Sequence, residues 1–224
     1  MATAATQSAQ PTATAPVSDA GEPLRPTALP PAPLDTPRLY RMTTDIYEKI
    51  VAAGVFGDTS PIFLWKGQLV LPMTKGPDHE NSVAAINTLL VRLLPEGWHV
   101  RPCSPVRIPD DSEPEPDLLV LRGAIRDYLK RTPGPADVAL AVEVADSSLR
   151  FDSGSKMTAY AEVGIPAYWV VNIPRQRIDV STQPSGPTGT PSYADHRSYS
   201  PDEEVPVVLD GREVGRITVR DVLF

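Results

Sequence analysis

The chain has 224 residues, and 21 Lys and Arg against 28 Asp and Glu give a formal net charge of −7. Hydrophobic residues make up 41% and charged residues 22%, proportions typical of a globular protein and not of a disordered one. No segment approaches the roughly 20 consecutive apolar residues of a membrane-spanning helix, which excludes an integral membrane protein. An acidic chain also lacks the basic surface typical of proteins that coat nucleic acids.

Cysteine content and the N-terminal composition predict the compartment and the domain boundary. Cys103 is the single cysteine, so it cannot form an intramolecular disulfide, and the sequence has no Cys/His cluster with zinc spacing. With no secretory signal at the N-terminus, this favours a cytoplasmic protein. Residues 1–37 are rich in Ala, Thr, Ser and Pro and cannot bury enough surface to offset their ordering entropy. We therefore expect 1–37 to form a disordered tail and 38–224 to form a single domain.

The first half of this domain predicts helices separated by a hairpin. N-cap and glycine signals mark the ends of the first helix, and apolar residues at helical spacing predict the second. Two prolines interrupt the extended run that follows, which is typical of an edge strand. In chain order we expect a helix at 44–53, a hairpin at 61–71 around Lys66-Gly67, an amphipathic helix at 79–94 and an edge strand at 98–108.

The second half carries the strongest strand signals. Apolar runs alternate with one short helix, which ends at Gly164 in a typical C-cap pattern. This order predicts an α/β (α+β) domain built on a mixed central sheet. We expect strands at 117–121, 137–144, 168–173 and 177–180, a helix at 153–163, and a loop at 181–191 that forms the tip of a hairpin.

Glu143 is the most informative residue, because a carboxylate in an apolar strand is costly to bury unless it is paired or bound to a metal. Strict alternation places Ala139 and Ala141 on its face of the strand, and their small side chains leave room for a cleft. Asp117 begins another buried strand. Two carboxylates on neighbouring strands can share a divalent cation such as Mg²⁺.

Lys156 adds a cation to this pair of acids. It lies in the helix that follows Glu143, with Tyr160 one turn later on the same face. A lysine there can reach back over the sheet to the carboxylates. Two acids, a metal ion and a lysine suit phosphodiester hydrolysis, in which the ion activates water and the ammonium stabilises negative charge.

The chain resembles the Uma-two family, a group of restriction-endonuclease-like proteins in the PD-(D/E)XK nuclease superfamily. The resemblance covers nearly all of the expected domain, and its motifs are specific in their order and spacing. They are PEPDLLV at 114–120, VEVADSS at 142–148, Asp152 and Lys156, Tyr160-Ala161, and GIPAYWVVN at 164–172.

The resemblance implies a restriction-endonuclease-like αβββαβ core with an added N-terminal helix and hairpin. It implies that Asp117 and Glu143 bind Mg²⁺ or Mn²⁺. The superfamily lysine lies two residues after the second acid, where this chain has Ala145, so Lys156 would supply it from the helix. Glu80 stands where many members carry an additional catalytic acid. DNA is the implied substrate, and we expect a homodimer because such nucleases often pair two active sites.

Each site residue also has a simpler interpretation. Asp117 could cap a turn after its preceding proline. Glu143 could form a structural ion pair with Lys156. Glu80 could complement the dipole in the first turn of its helix. Asp152 fits the N-cap of the following helix better than it fits a metal ligand.

Two observations favour an alternative function, a catalytically inactive module of the same fold that binds nucleic acid or a protein partner. The net charge is −7, and the hairpin acid common in the family is replaced by the sequence Phe63-Leu64-Trp65-Lys66-Gly67. The intact set of Asp117, Glu143 and Lys156 favours a nuclease. His79 is not expected to act as a base.

Overall fold

A computed structural model describes residues 39–57 and 61–224. The tail expected at 1–37 lies outside the described residues. Within those two ranges, no helix has both the length and the apolar character needed to cross a membrane. The regular elements are α1 (Thr44–Ala52), β1 (Phe63–Trp65), β2 (Gln68–Val70), α2 (Pro77–Leu93), β3 (Trp98–Pro102), β4 (Leu118–Arg122), β5 (Val138–Ala145), β6 (Ala167–Asn172), β7 (Arg177–Pro184), β8 (Tyr193–Tyr199), β9 (Glu204–Leu209) and β10 (Arg212–Thr218).

The central sheet has six strands in the order β3-β4-β5-β6-β7-β8. Strands β5 and β6 are parallel and every other neighbouring pair is antiparallel. A parallel pair needs a crossover connection, and the helix between β5 and β6 provides it. The predicted mixed sheet in an α/β domain is therefore confirmed, and β3 lies at its edge as expected.

The crossover helix spans residues 149–162 and is called the lysine helix here. It consists of an α-helical turn (Leu149–Phe151), a π-helical stretch (Asp152–Lys156) and a final α-helix (Met157–Glu162). Gly164 follows it with a φ of +77°, as the predicted C-cap requires. The predicted start at residue 153 is wrong. Residues 152–155 are weak helix formers and include a glycine, so the sequence does not indicate that the helix already begins at Leu149.

A bulge in β5 corrects the predicted alternation of that strand. Val120 pairs with Leu140, but Leu121 pairs with Val138, so one residue of β5 is skipped between them. Ala139 consequently packs in the same core as Leu140, on the face opposite Glu143. The small neighbours of Glu143 on its own face are Ala141 and Ala145.

Hydrophobic cores cover both faces of the sheet. One core is formed with α2 and the β9–β10 hairpin, which contribute Ile86, Leu90, Val207 and Ile217. The other core contains Trp65 of the β1–β2 hairpin and Tyr160 of the lysine helix. The lysine helix is therefore held between the sheet and the β1–β2 hairpin, on the face that carries Glu143.

The remaining predicted elements differ from the structure mainly at their ends. The Lys66-Gly67 hairpin is confirmed, and positive φ values of 48° and 74° at these residues fit a tight two-residue turn. The edge strand ends at Pro102, well before residue 108. The β9–β10 hairpin was not predicted, because Pro206 within β9 weakens its strand pattern.

Candidate active site

Asp117 and Glu143 meet at one edge of the central sheet. Strand β4 pairs with β5 so that Leu118 faces Val142, and continuing this antiparallel register by one residue brings Asp117 opposite Glu143. The two residues are 4% and 3% exposed. The structure therefore brings together the two acids that the sequence singled out.

Both carboxylates line a cavity of about 500 Å³. The lysine helix contributes Phe151, Asp152 and Lys156 to one of its walls. The β1–β2 hairpin and the chain after it form an apolar wall, which includes Phe63, Val70, Leu71 and Met73. The concave site thus combines charged groups with apolar side chains, as in many ligand-binding sites.

Glu143 is engaged through one of its two oxygens. Oε1 accepts a hydrogen bond from the Lys156 ammonium at 2.8 Å and one from the Tyr160 hydroxyl at 3.3 Å. Among the described residues, Oε2 accepts no hydrogen bond. Burial raises the pKa of the Glu143 carboxyl to about 8, Lys156 opposes this rise, and Asp152 and Asp117 add to it. A second cation at Oε2 would relieve this cost of burial.

Lys156 is buried between two carboxylates. Besides its bond to Glu143, its ammonium lies 3.2 Å from Asp152 Oδ1, a close ion pair without hydrogen-bond geometry. Burial alone would lower the pKa of Lys156, but the two carboxylates outweigh it and keep the pKa above its ordinary value. Asp152 is 1% exposed inside the helix, so its interpretation as an N-cap is wrong.

Asp117 is held by three donors. Lys75 donates to Oδ1 at 2.8 Å. Oδ2 lies 3.1 Å from His79 Nε2 and accepts the backbone N–H of Val144 at 2.8 Å. Burial alone would raise the pKa of Asp117, but the contacts with His79 and Lys75 lower it below its ordinary value. The simpler interpretation, a turn cap, does not account for these contacts.

Glu80 does not reach the cavity. Its side chain is 65% exposed, and its Oε1 lies 3.9 Å from His79 Nδ1. The catalytic role expected for it stays a prediction that the geometry does not support. Ala145 is fully buried, and the ammonium beside Glu143 belongs to Lys156 of the lysine helix; the catalytic role of this lysine stays a prediction.

Sequence reasoning missed the role of His79 and did not consider Lys75. His79 is 7% exposed and lies on the apolar side of α2, four residues before Val83 and seven before Ile86. That helical spacing is a signal that could have identified it as the inward-facing neighbour of Glu80. Lys75 lies in the irregular segment before α2, where no pattern indicates its contact.

The donors present fit a hard divalent cation. Among residues 39–57 and 61–224, no cluster of three or more His, Cys, Asp or Glu side chains is arranged to hold a metal ion. Mg²⁺, however, is often bound through one or two carboxylates and keeps several waters. Asp117 and Glu143 supply oxygen ligands, and Oε2 of Glu143 has no hydrogen-bond donor among the described residues.

Comparisons with known proteins agree with this architecture. Residues 54–219, more than half of the chain, match the family model Uma2, described as "Putative restriction endonuclease". The crystal structure of "a putative nuclease belonging to DUF820" from Anabaena variabilis superposes with a TM-score of 0.59 at 14% identity. The alignment covers 81% of this chain and 97% of that one, which shows a shared fold. No curated protein matches the chain.

Proposed function

Because the chain belongs to the Uma2 family of restriction-endonuclease-like proteins, we propose that it is a nuclease that uses Mg²⁺ or Mn²⁺ to hydrolyse DNA phosphodiester bonds. The family and the fold support a nuclease-like function. Metal dependence and DNA as the substrate are our proposal. A homodimer, which would pair two sites for two strands, is part of the same proposal.

One observation carries this proposal: two buried carboxylates from adjacent strands line a cavity together with a buried lysine. Burying such charges for stability alone is unfavourable, because their desolvation often exceeds their attraction. Perturbed ionisable groups that converge in a concave site are typical of catalytic sites. A purely structural Glu143–Lys156 pair would not require Asp117 beside it.

Each residue has a defined task in this mechanism. Asp117 and Glu143 would hold the ion, which supplies polarisation of the phosphate and a water of lowered pKa. The Lys156 ammonium stabilises the negative charge that develops on a phosphate oxygen. His79 and the Val144 N–H fix the orientation of the Asp117 carboxylate.

Thermal unfolding with Mg²⁺, Mn²⁺ or a chelator tests the metal site. A ligand that binds only the folded state stabilises it by about 2.7 kcal/mol at a hundredfold excess over Kd. We expect both ions to raise the wild-type midpoint and Glu143→Ala to lose this response. Glu96→Ala, which removes an exposed acid, should keep it. A wild-type midpoint that is insensitive to both ions would contradict the metal site.

Cleavage of plasmid and single-stranded DNA then tests the activity. Wild-type protein with Mn²⁺ should cut at least one of these substrates, and Glu143→Ala and Lys156→Met should not. DNA binding without cleavage by the metal-loaded wild type would instead support the inactive nucleic-acid-binding module.

A further inference from the structure

A second cavity, of about 520 Å³, lies on the other side of the lysine helix. Leu149, Ser153 and Met157 of the helix line this cavity. Phe151, Asp152 and Lys156 line the cavity that holds the carboxylates. One helix therefore forms a wall of both cavities.

The second cavity also lies on the same face of the sheet as Glu143. In the strand register, Glu143 of β5 faces Val170 of β6, Val170 faces Asp179 of β7, and Asp179 faces Ser198 of β8. Val170, Asp179 and Ser198 all line the second cavity. Since neighbouring strands are about 4.8 Å apart, Asp179 lies on the order of 10 Å from Glu143 along this row.

The second cavity is basic, although the chain as a whole is acidic. Arg150, Arg175, Arg177, His196 and Arg197 contribute to its lining, and we call these five residues the arginine groove. Arg150 and Arg175 are exposed, and within the described part of the chain their guanidinium groups form no ion pair. Two arginines are thus available to a ligand.

The acid that lines the groove is already engaged. Asp179 lies 2.8 Å from Arg177 Nε and accepts hydrogen bonds from Asn172 Nδ2 and the Ser198 hydroxyl. It therefore offsets Arg177 and holds it in place. The charges of Arg150 and Arg175 remain uncompensated, so the groove attracts anions.

We propose that the arginine groove binds the phosphate backbone of the nucleic acid whose scissile phosphate lies at Asp117 and Glu143. This inference rests on the proposed nuclease function. A guanidinium group presents paired donors that match phosphate oxygens, and each strand of B-DNA carries one phosphate per about 3.4 Å of helix axis. A separation on the order of 10 Å is spanned by a few nucleotides of one strand. The groove therefore provides a local basic contact on a chain whose net charge is −7.

Salt-dependent DNA binding tests the groove. The Glu143→Gln protein, in chelator, is titrated onto a fluorescent oligonucleotide at several salt concentrations, with and without Arg150→Ala/Arg175→Ala. Each lost phosphate contact lowers the slope of log K against log salt by about 0.7–0.9. We expect a decrease of roughly 1.4–1.8 and roughly tenfold weaker binding at low salt.

Matched controls isolate the effect of position. Arg92→Ala/Arg126→Ala removes two exposed arginines elsewhere and should leave the slope unchanged. Arg150→Lys/Arg175→Lys keeps both charges and should retain most of the slope. Equal slopes for the groove variant and the Arg92/Arg126 variant would overturn the proposal.

Two further outcomes separate this inference from the proposed function. Wild-type cleavage with normal binding by Arg150→Ala/Arg175→Ala would refute the groove and leave the nuclease intact. If the wild type neither binds nor cleaves DNA, both fail. Displacement of the oligonucleotide by submillimolar inorganic phosphate, at matched ionic strength, would indicate a free-phosphate site and overturn the backbone assignment.

Discussion

The Lys156 ammonium lies 2.8 Å from Glu143 Oε1 and 3.2 Å from Oδ1 of Asp152, four residues earlier in the same helix. It is thus the cation that lies beside two buried acids of the cavity. Lys156 and Glu143 are nearly inaccessible, with side chains 10% and 4% exposed. Each of these buried charges is therefore compensated only while its partner is present.

Lys156→Met removes the ammonium and leaves Glu143 buried beside two acids. Breaking a buried pair from one side costs about 3–5 kcal/mol. We expect a decrease of that size in the free energy of unfolding, measured by denaturant titration in chelator. Glu143→Gln/Lys156→Met removes both charges and should recover much of the loss. A double variant no more stable than Lys156→Met would contradict this account.

Lys75→Met should strengthen cation binding. The Lys75 ammonium occupies Oδ1 of Asp117 at 2.8 Å, and its side chain is 37% exposed, so its ion pair adds at most about 1 kcal/mol to stability. Without it, Oδ1 is open and Mn²⁺ should bind at lower concentration, which calorimetric titration measures. The control is Lys130→Met, which removes an exposed lysine. An unchanged or weaker affinity in Lys75→Met would show that the two cations do not compete.

His79→Ala should destabilise the protein and weaken cation binding together. Oδ2 of Asp117 would keep the Val144 N–H as its one remaining donor among the described residues. Leaving a buried acceptor short of a partner costs about 1–3 kcal/mol. Chemical denaturation measures the first effect, and the midpoint shift caused by Mn²⁺ measures the second. A loss of stability with an unchanged Mn²⁺ response would restrict His79 to a structural role.

We expect Glu113, which does not line the cavity, to make the stability of the protein depend on pH. Burial, together with Glu48, raises its pKa from 4.5 to about 7. The folded state therefore holds a proton that the unfolded state has lost, so the free energy of unfolding falls as the pH rises from 4.5 to 7. The decrease is at most roughly 3 kcal/mol.

Glu113→Gln cannot lose a proton and should not show this part of the decrease. We expect it to be more stable than the wild type at pH 8 and close to it at pH 4, as measured by denaturant titration. Glu96→Gln, at an exposed position, should follow the wild-type curve. Parallel curves for Glu113→Gln and the wild type would refute the assignment.

The central sheet and its buried acid could be predicted from the sequence, because both depend on local patterns of apolar residues. Strand β5 is apolar throughout except for Glu143, and such a run predicts a buried strand with one unusual carboxylate. The glycine after the lysine helix marks its end for a similarly local reason. The fold class was therefore correct, although the bulge at Ala139 was not visible in the sequence.

The contacts of Asp117 could not be predicted in the same way. Lys75 and His79 lie 42 and 38 residues before it in the chain, and tertiary packing alone decides which side chains meet it. Whether His79 or Glu80 meets Asp117 depends on where each side chain lies around the axis of α2. Adjacent residues of a helix point about 100° apart, so one neighbour faces Asp117 and the other faces water. Glu80, the residue expected to act, is the one that faces water.

The lysine helix is shared by the two cavities, because it presents Arg150 to one and Lys156 to the other. A ligand that shifts the helix from the arginine side must change the surroundings of Glu143. Linkage then requires reciprocity: the factor by which nucleic acid changes cation affinity equals the factor by which the cation changes nucleic-acid affinity. Cation affinities measured with and without an oligonucleotide must therefore differ by the same factor as oligonucleotide affinities measured with and without the cation.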